Sequence, residues 1–187
     1  RTALENNTTA DGNTAVGVAS LAQNTEGAAN VAVGYLALNL NTTASSNTAV
    51  GKSAGAAVTT GVENSIIGAL AGDALTIGYQ NVVNGFQALS AETTGSRNVA
   101  IGINALNVSN MGGGTSVTSY NVAVGALAGA SVTTGVHNVL MGGLSGDALT
   151  DSDFNTALGD ATLSTDTLGS RSVAVGYAAL NQQNFTT

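Results

Sequence analysis

A repeat of 17 residues constrains the fold of this chain more than any other feature. The pentapeptide Asn-Thr-Ala-Val-Gly starts at Asn13 and recurs, nearly unchanged, at Asn30 and Asn47. With this Asn as position 1, ten copies follow one another at intervals of 17, apart from one interval of 23. Such a period predicts a solenoid, in which each copy is one coil stacked on its predecessor. Coils 1 to 10 start at Asn13, Asn30, Asn47, Asn64, Asn81, Asn98, Asn121, Asn138, Asn155 and Ser172.

Position 5 of the repeat is glycine in every copy. A glycine kept at one position throughout a chain indicates a recurring backbone requirement, either a positive φ or the close approach of a neighbouring segment. We therefore expect these glycines to lie in one axial row, which consists of Gly17, Gly34, Gly51, Gly68, Gly85, Gly102, Gly125, Gly142, Gly159 and Gly176.

The residues around this glycine predict β-structure. Positions 2 to 4 mostly carry Thr or Val, then Ala, then Val, Ile or Leu, and they lie between two turn-prone residues. Positions 7 to 9, such as Leu-Ala-Leu at 36–38, predict a second strand. Seventeen residues are too few for two helices with a turn, and the unit is too rich in Gly and Thr for one. The predicted fold is an all-β parallel β-solenoid, with residues 1–187 forming one repeat domain.

Either of two positions of the repeat, 9 or 12, supplies the large apolar side chain that is expected to fill the interior. Position 9 is Leu in six coils and Gly in coils 3, 4, 7 and 8. Those four coils alone carry an aliphatic residue at position 12, namely Val58, Leu75, Val132 and Leu149. Close packing of a narrow interior explains this exchange, because each coil then contributes one large apolar side chain. The Asn column at position 1 has a structural explanation as well: stacked Asn side chains form hydrogen-bonded ladders.

The composition excludes several partners. Charged residues make up 8% of the chain, the formal net charge is −7, and Arg1, Lys52, Arg97 and Arg171 are the basic residues. Four scattered cations cannot displace the counterions of a nucleic acid or hold the chain on anionic lipid. No stretch of 18 apolar residues is present, so no transmembrane helix is expected.

The sequence offers no catalytic or metal-binding set. His137 is the single histidine and Cys is absent, so neither a typical zinc site nor a histidine-based triad is expected, and His137 is predicted to be a solvated turn residue. Asp147, Asp151 and Asp153 form the densest acidic group, but they lack the glycine-rich repeat of calcium-binding β-rolls. Asp147 matches Asp73 across an internal duplication, which favours a turn role. We expect no enzymatic activity and no cofactor.

Two features are candidates for partner binding. The long interval places an insertion in residues 107–120, with Ser116 expected to replace the Thr of position 13, and its Met111 and Tyr120 could contact a partner. A flexible bulge explains the insertion equally well. Aromatic residues at position 6 form a sparse, variable column that is expected to face outward; they are Tyr35, Phe86 and Tyr177.

A second, longer period lies over the first. Residues 47–106 align with residues 121–180, with 33 identities in 60 positions, so a block of four coils has been duplicated. This is growth in length, as expected of a fibre. Both ends of the sequence fall inside a unit, and at the second end Asn-Phe-Thr at 184–186 runs into an uncompleted coil. We therefore expect the chain to be a fragment of a longer fibre.

The repeated unit Asn-x-Ala-Val/Ile-Gly-x-x-Ala-Leu, as at 30–38 and 98–106, resembles the YadA-like head repeats of trimeric autotransporter adhesins and the repeats of phage tail fibres. The resemblance covers essentially the whole chain. It implies a left-handed parallel β-roll and a homotrimer around a threefold axis. It further implies an extracellular location, on a bacterial surface or a virion tail fibre, and attachment to a host-cell or matrix receptor of protein or glycan nature.

Two other functions follow from single features of the sequence. A column of Thr at position 13, together with the low charge, is compatible with an ice-binding β-solenoid, although ice-binding arrays need Thr-x-Thr rather than these adjacent threonines. A fibre segment that degrades polysaccharide would need a pair of carboxylates in a groove, and the repeat provides no such pair outside its own pattern. Both are weaker interpretations than an adhesive fibre.

Overall fold

In the computed structural model, residues 2–184 are described, and the residues of the uncompleted last unit beyond them, 185–187, lie outside that range. The described chain is all-β, and none of its segments forms a helix long and apolar enough to cross a membrane. Its strands, each of two or three residues, are β1 (Thr14–Val16), β2 (Val31–Val33), β3 (Thr48–Val50), β4 (Ser65–Ile67), β5 (Val82–Asn84), β6 (Gly95–Ser96), β7 (Val99–Ile101), β8 (Val117–Thr118), β9 (Val122–Val124), β10 (Val139–Met141), β11 (Thr156–Leu158) and β12 (Val173–Val175).

Ten of these strands form one parallel sheet that runs along the molecule. Its order is β1-β2-β3-β4-β5-β7-β9-β10-β11-β12, so each coil adds one strand beside its predecessor. The register follows the repeat, because Ala32 of β2 lies opposite Ala49 of β3. The insertion does not break it, since Val99 lies opposite Val122. The predicted β-solenoid of ten 17-residue coils is therefore confirmed.

The prediction of a second strand at positions 7 to 9 is wrong. Positions 7 to 9 form turns, in which positions 7 and 9 both have a left-handed backbone; in coil 2, Leu36 has a φ of 59° and Leu38 a φ of 48°. Hydrogen bonds between coils hold this conformation, as when the Leu38 N–H donates to the Ala54 carbonyl at 3.1 Å. The Ala37 N–H instead turns back to Gly34 of its own coil, at 3.4 Å. This alternation satisfies the backbone without a strand.

The position-5 glycines of coils 1 to 9 have both properties that the sequence suggested, while Gly176 of coil 10 has a positive φ but no close neighbour. Gly51, for example, has a φ of 141°, which is outside the range of ordinary L-residues. A Cβ on Gly51 would lie 2.5 Å from the carbonyl oxygen of Gly68, the corresponding glycine of the next coil. The axial row is therefore a place where the backbones of successive coils lie too close together for any side chain.

The interior confirms the exchange between positions 9 and 12 and adds a third position to it. Leu38 and Leu89 of the Leu coils are fully buried, as are the aliphatic residues at position 12 of the Gly coils. Position 3 also contributes. Ile66 lies between Gly55 and Gly72, and a Cβ on these glycines would meet its side chain at 2.9 and 3.5 Å. In the duplicated block, Leu140 contacts Gly129 and Gly146 in the same way.

Position 12 of the Leu coils is buried too, although its residues are polar. Asn41 accepts a hydrogen bond from the Ala44 N–H at 3.0 Å and donates one to the Ala44 carbonyl at 3.1 Å. Asp166 accepts from the Gly169 N–H at 2.9 Å in the same manner. The position-12 side chain thus binds the backbone of the turn three residues further on, which an aliphatic residue cannot do.

The Asn ladder at position 1 is confirmed. Asn81 donates its backbone N–H to Oδ1 of Asn64 at 3.0 Å, and Oδ1 of Asn81 accepts from the Asn98 N–H at 2.9 Å. Its Nδ2 also donates to the carbonyl of Gly95, within the same coil, at 3.0 Å. The ladder continues across the insertion, from Asn98 to Asn121 at 3.1 Å. From Asn30 to Asn155 these side chains are buried, and their Oδ1 atoms accept hydrogen bonds from the next coil, so they stabilise the stack; the Nδ2 of Asn98 is buried without a partner among the described residues.

Candidate interaction surfaces

The outer side of the ten-stranded sheet carries most of the exposed large apolar side chains of the described chain. In most of its strands the middle residue, position 3, is buried, while the flanking positions 2 and 4 face outward, and position 6 continues the same surface. We call positions 2, 4 and 6 of the ten coils the apolar face. Its large exposed side chains are Val16, Val18, Tyr35, Val50, Ile67, Val82, Phe86, Ile101, Ile103, Met141, Val173, Val175 and Tyr177.

Charge is almost absent from the apolar face, where Lys52 and Asp160 are the two charged residues. Asn84 interrupts the aliphatic column at position 4, and its exposure explains why a polar residue is tolerated there. With coils about 4.8 Å apart and about 3.3 Å per residue along a strand, the face covers on the order of 600 Å² in projection. This is the upper end of the size of the largest apolar patch on a typical monomeric protein, about 300–600 Å², and such patches often mark interaction sites.

The three predicted aromatic residues belong to this face but not to one site. Tyr35, Phe86 and Tyr177 are 51%, 46% and 82% exposed, as expected for an outward column. They lie in coils 2, 5 and 10, so about 14 Å and 24 Å of sheet separate them at the usual strand spacing. They add apolar area at three separate places instead of forming a common pocket.

The insertion is anchored to the solenoid. Asn110, rather than Ser116, takes the place of position 13, because its Oδ1 accepts from the Thr93 hydroxyl and its N–H donates to the Thr133 carbonyl, both at 3.0 Å. The extra residues follow it, and the short strand β8 pairs in parallel with β6. At the tip, residues 112–114 are glycines with open space around them. The expected position of the insertion is thus corrected by a few residues.

Glu92 holds the base of this insertion from inside. Its buried Oε1 accepts the backbone N–H groups of Thr93, Thr94 and Gly95 at 2.9, 3.0 and 2.7 Å. Ser109 donates its hydroxyl to Oε2 at 3.0 Å, and the Met111 N–H donates to Oε1 at 3.3 Å. Met111 is therefore half-buried and held by its backbone. A flexible bulge, the alternative explanation of the insertion, does not account for these hydrogen bonds at its base.

Tyr120, the other residue predicted from the insertion, belongs to a column at position 17 that sequence reasoning missed. Its ring stacks on His137, with centroids 5.2 Å apart, and His137 stacks on Phe154 at 4.9 Å. Arg97 lies over Tyr120 at one end of the stack and Arg171 lies over Phe154 at the other. His137 is exposed at a turn, as predicted, but it is the middle of an aromatic stack.

The acidic residues differ in their local surroundings. Burial raises the pKa of Asp73 and of Asp147, the pair related by the duplication. Hydrogen bonds from the Thr133 and Thr134 hydroxyls hold the pKa of Asp151 below its usual range. Asp153 accepts the Val136 N–H at 2.8 Å. Within residues 2–184 no three His, Asp or Glu side chains lie close enough together to hold a metal ion.

The Thr column at position 13 is also used internally. The Thr25 hydroxyl donates to the carbonyl of Thr42 at 3.1 Å, and the Thr42 hydroxyl donates to Thr59 at 3.3 Å. Their hydroxyl protons are therefore committed along the axis, which disfavours the ice-binding interpretation.

Comparison of the chain with family models, with curated proteins and with solved structures gave no match.

Proposed function

We propose that this chain is a structural and adhesive segment of a homotrimeric surface or tail fibre that mediates attachment to a host or target cell. The observation that carries the proposal is the apolar face, a nearly uncharged side of the sheet that runs the full length of ten coils. Such a surface is stable in water when it is covered.

A second and third copy of the same chain are the occupants that fit this face best. A partner with the same axial repeat can place one row of side chains between two rows of the other, coil after coil, whereas a globular partner meets the repeat at only a few coils. The exposed apolar surface also continues around the corner at position 7, through Leu127 and Leu144, which are 38% and 40% exposed. Contact on two adjoining sides suits a threefold arrangement, in which each chain touches both neighbours.

The face contributes part of the area that a stable assembly needs. Specific interfaces bury about 800 Å² per partner, and the roughly 600 Å² of projected face is shared between two neighbours in a trimer, so the adjoining surface at position 7 belongs to the contact as well. Covering this apolar surface favours association at about 25 cal/mol per Å², against the entropy lost on assembly. The resemblance of the repeat to trimeric adhesin heads and phage tail fibres supports the same arrangement and supplies the adhesive role.

The mass of the particle in solution tests the trimer. Sedimentation equilibrium is expected to give about three times the 18.2 kDa of one chain. The variant Ile67→Glu/Ile101→Glu places two carboxylates on the apolar face, and we expect it to dissociate the trimer. Leu168→Glu is the matched control, since Leu168 is 45% exposed but lies at position 14, away from the face, and this variant should remain trimeric. A wild-type chain that sediments as a monomer would contradict the proposal.

A further inference from the structure

The position-17 column forms a second surface with a different chemistry. Across coils 3 to 9 it consists of Glu63, Gln80, Arg97, Tyr120, His137, Phe154 and Arg171. The central rings are nearly parallel, with interplanar angles of 29° and 9°, and their separations match the spacing of the coils. The ring faces therefore look along the axis at one another, and the ring edges look outward.

The exposed side of this stack carries aromatic ring edges and two guanidinium groups, while Glu63 and Asp153 are carboxylates in and beside the column. The edge of an aromatic ring carries the positive part of its quadrupole, and Tyr120 and Phe154 are 45% and 49% exposed. An arginine closes each end: the Arg97 guanidinium carbon lies 5.5 Å from the Tyr120 centroid, and that of Arg171 lies 5.6 Å from the Phe154 centroid. Both arginines of residues 2–184 are thus in one column, on a chain with a net charge of −7.

These guanidinium groups keep donors for a ligand. Arg97 uses its Nε on Gln80 at 2.9 Å and its Nη1 on the Tyr120 hydroxyl at 3.1 Å, out of the five N–H groups of an arginine. Glu63 does not neutralise it, because Glu63 accepts from Nε2 of Gln80 at 2.7 Å. Within the described residues neither Arg97 nor Arg171 forms an ion pair with a carboxylate.

We propose that this column, the arginine–aromatic ridge from Arg97 to Arg171, binds a linear acidic polysaccharide that lies along the solenoid axis. The inference rests on the proposed function, for which it names the attachment partner. The two arginines are four coils apart, about 19 Å at the usual strand spacing. Each guanidinium binds one carboxylate or sulfate in bidentate fashion, and the sugar residues between them meet the ring edges, the His137 ring and the Tyr120 hydroxyl.

A glycan fits this ridge better than an acidic peptide does. The ridge is straight and has no groove that would enclose a flexible chain, so a ligand must supply its own stiffness. A flexible acidic peptide loses backbone and side-chain entropy when it is fixed on such a surface. A stiff polyuronate has its carboxylates already arrayed along a line and loses less.

Binding of immobilised polygalacturonate at low ionic strength tests the proposal. Arg97→Gln/Arg171→Gln is expected to bind about tenfold more weakly, since it removes two charge-assisted contacts. Lys52→Gln removes a cation of the same charge from outside the ridge and should bind within about twofold of wild type. Arg97→Lys/Arg171→Lys retains the charges but not the bidentate fork, and an intermediate affinity is expected. Equal losses for Lys52→Gln and the double glutamine variant would overturn the proposal.

Two further ligands decide between classes of partner. Neutral dextran should not bind, and poly-L-glutamate should bind more weakly than polygalacturonate at equal carboxylate concentration. Equal binding of poly-L-glutamate, or no binding of polygalacturonate, would overturn the proposal. The masses of wild type and of Arg97→Gln/Arg171→Gln separate this inference from the fibre proposal. A trimeric wild type, with a variant that is a folded trimer but has lost glycan binding, supports both. A monomeric wild type that binds polygalacturonate, with a variant that does not, supports the ridge alone.

Discussion

The solenoid contains two kinds of coil, and they fill the same interior differently. In the Leu coils, a buried Leu at position 9 occupies the core, and a buried polar residue at position 12 binds the turn, as Leu38 and Asn41 do in coil 2. In the Gly coils, which occur as the adjacent pairs 3–4 and 7–8, position 9 has no side chain, and the core is filled by an aliphatic residue at position 12.

The difference teaches that the unit of packing is larger than one coil. Ile66 belongs to coil 4, yet it fills space against Gly55 of coil 3 as well as Gly72 of its own coil. Leu140 has the same role in the duplicated block. Gly coils therefore occur in pairs because one large residue at position 3 serves two of them. A volume that is conserved over two coils can be redistributed among three positions at constant packing density.

The largest expected effect on the free energy of unfolding concerns the position-5 glycine, which both kinds of coil contain. Gly51→Ala should lower the free energy of unfolding by about 3 kcal/mol or more, because a Cβ is both conformationally strained at a φ of 141° and 2.5 Å from the Gly68 carbonyl oxygen. Gly72→Ala is the control: at a φ of 50°, where other coils carry Leu, its Cβ would lie 3.5 Å from Ile66. Urea denaturation followed by circular dichroism compares the two, and equal losses would show that the axial row is not special.

Ile66 fills the core that the two adjacent Gly coils, 3 and 4, share. Ile66→Ala should cost about 2–5 kcal/mol of unfolding free energy, since Ile66 is fully buried and both neighbouring coils lose contacts. Ile66→Ala/Gly55→Leu should recover part of that loss, because a Cβ on Gly55 would meet the Ile66 side chain, so a Leu at this position can fill the space that Ile66→Ala leaves. A double variant less stable than Ile66→Ala in the same denaturation experiment would contradict exchange among these positions.

A smaller effect is expected when a Leu coil receives the position-12 residue of a Gly coil. Asn41→Val should cost about 1–3 kcal/mol, because Leu38 already fills the core and the buried Ala44 N–H loses its acceptor. Asn84→Val makes the same chemical change at an exposed position and should alter the unfolding free energy by less than about 0.5 kcal/mol. If both variants are equally stable in thermal unfolding, the polar residue at position 12 is not required.

The smallest effect concerns Asp73 and Asp147, which occur in the second coil of each Gly pair. Burial raises the pKa of Asp147 above its ordinary value of 3.8, so the folded chain holds this proton more tightly than the unfolded chain does. Stability should therefore fall as pH rises from 3.8 through the raised pKa, and the loss should persist at neutral pH. Asp147→Asn lacks this loss and should be slightly more stable than wild type at pH 7 but not at pH 3. Asp11→Asn, at an exposed site, is the control, and equal pH profiles of wild type and Asp147→Asn would contradict the prediction.

Much of the fold could be predicted because the repeat determines which residues of successive coils lie opposite each other. The strand at positions 2 to 4, the glycine row and the Asn ladder each follow from one column of residues. The second strand failed because Leu-Ala-Leu at 36–38 alternates like a strand, although its alternate residues are left-handed turns. The exchange of Leu for Gly at position 9 could have indicated this, since Gly is the residue that best tolerates a positive φ.

The surfaces were harder to predict than the core. The aromatic column at position 6 was found because its residues stood out in the sequence, but the arginine–aromatic ridge was not. Tyr120, His137 and Phe154 are 17 residues apart, and each looks like an ordinary turn residue in its own coil. Listing position 17 as a column would have placed them together, yet their stacking depends on ring rotamers that a sequence does not contain.

The Asn ladder and the other hydrogen bonds between coils all run along the axis, and this determines how the rod responds to mechanical force. Tension applied along the axis acts on these bonds directly, and a terminal coil detaches first because it is bonded to a neighbouring coil on one side only. Each coil that detaches replaces about 4.8 Å of rod with up to about 55–60 Å of extended chain. The rod therefore lengthens more than tenfold in discrete steps, and each step dissipates energy before the next coil detaches.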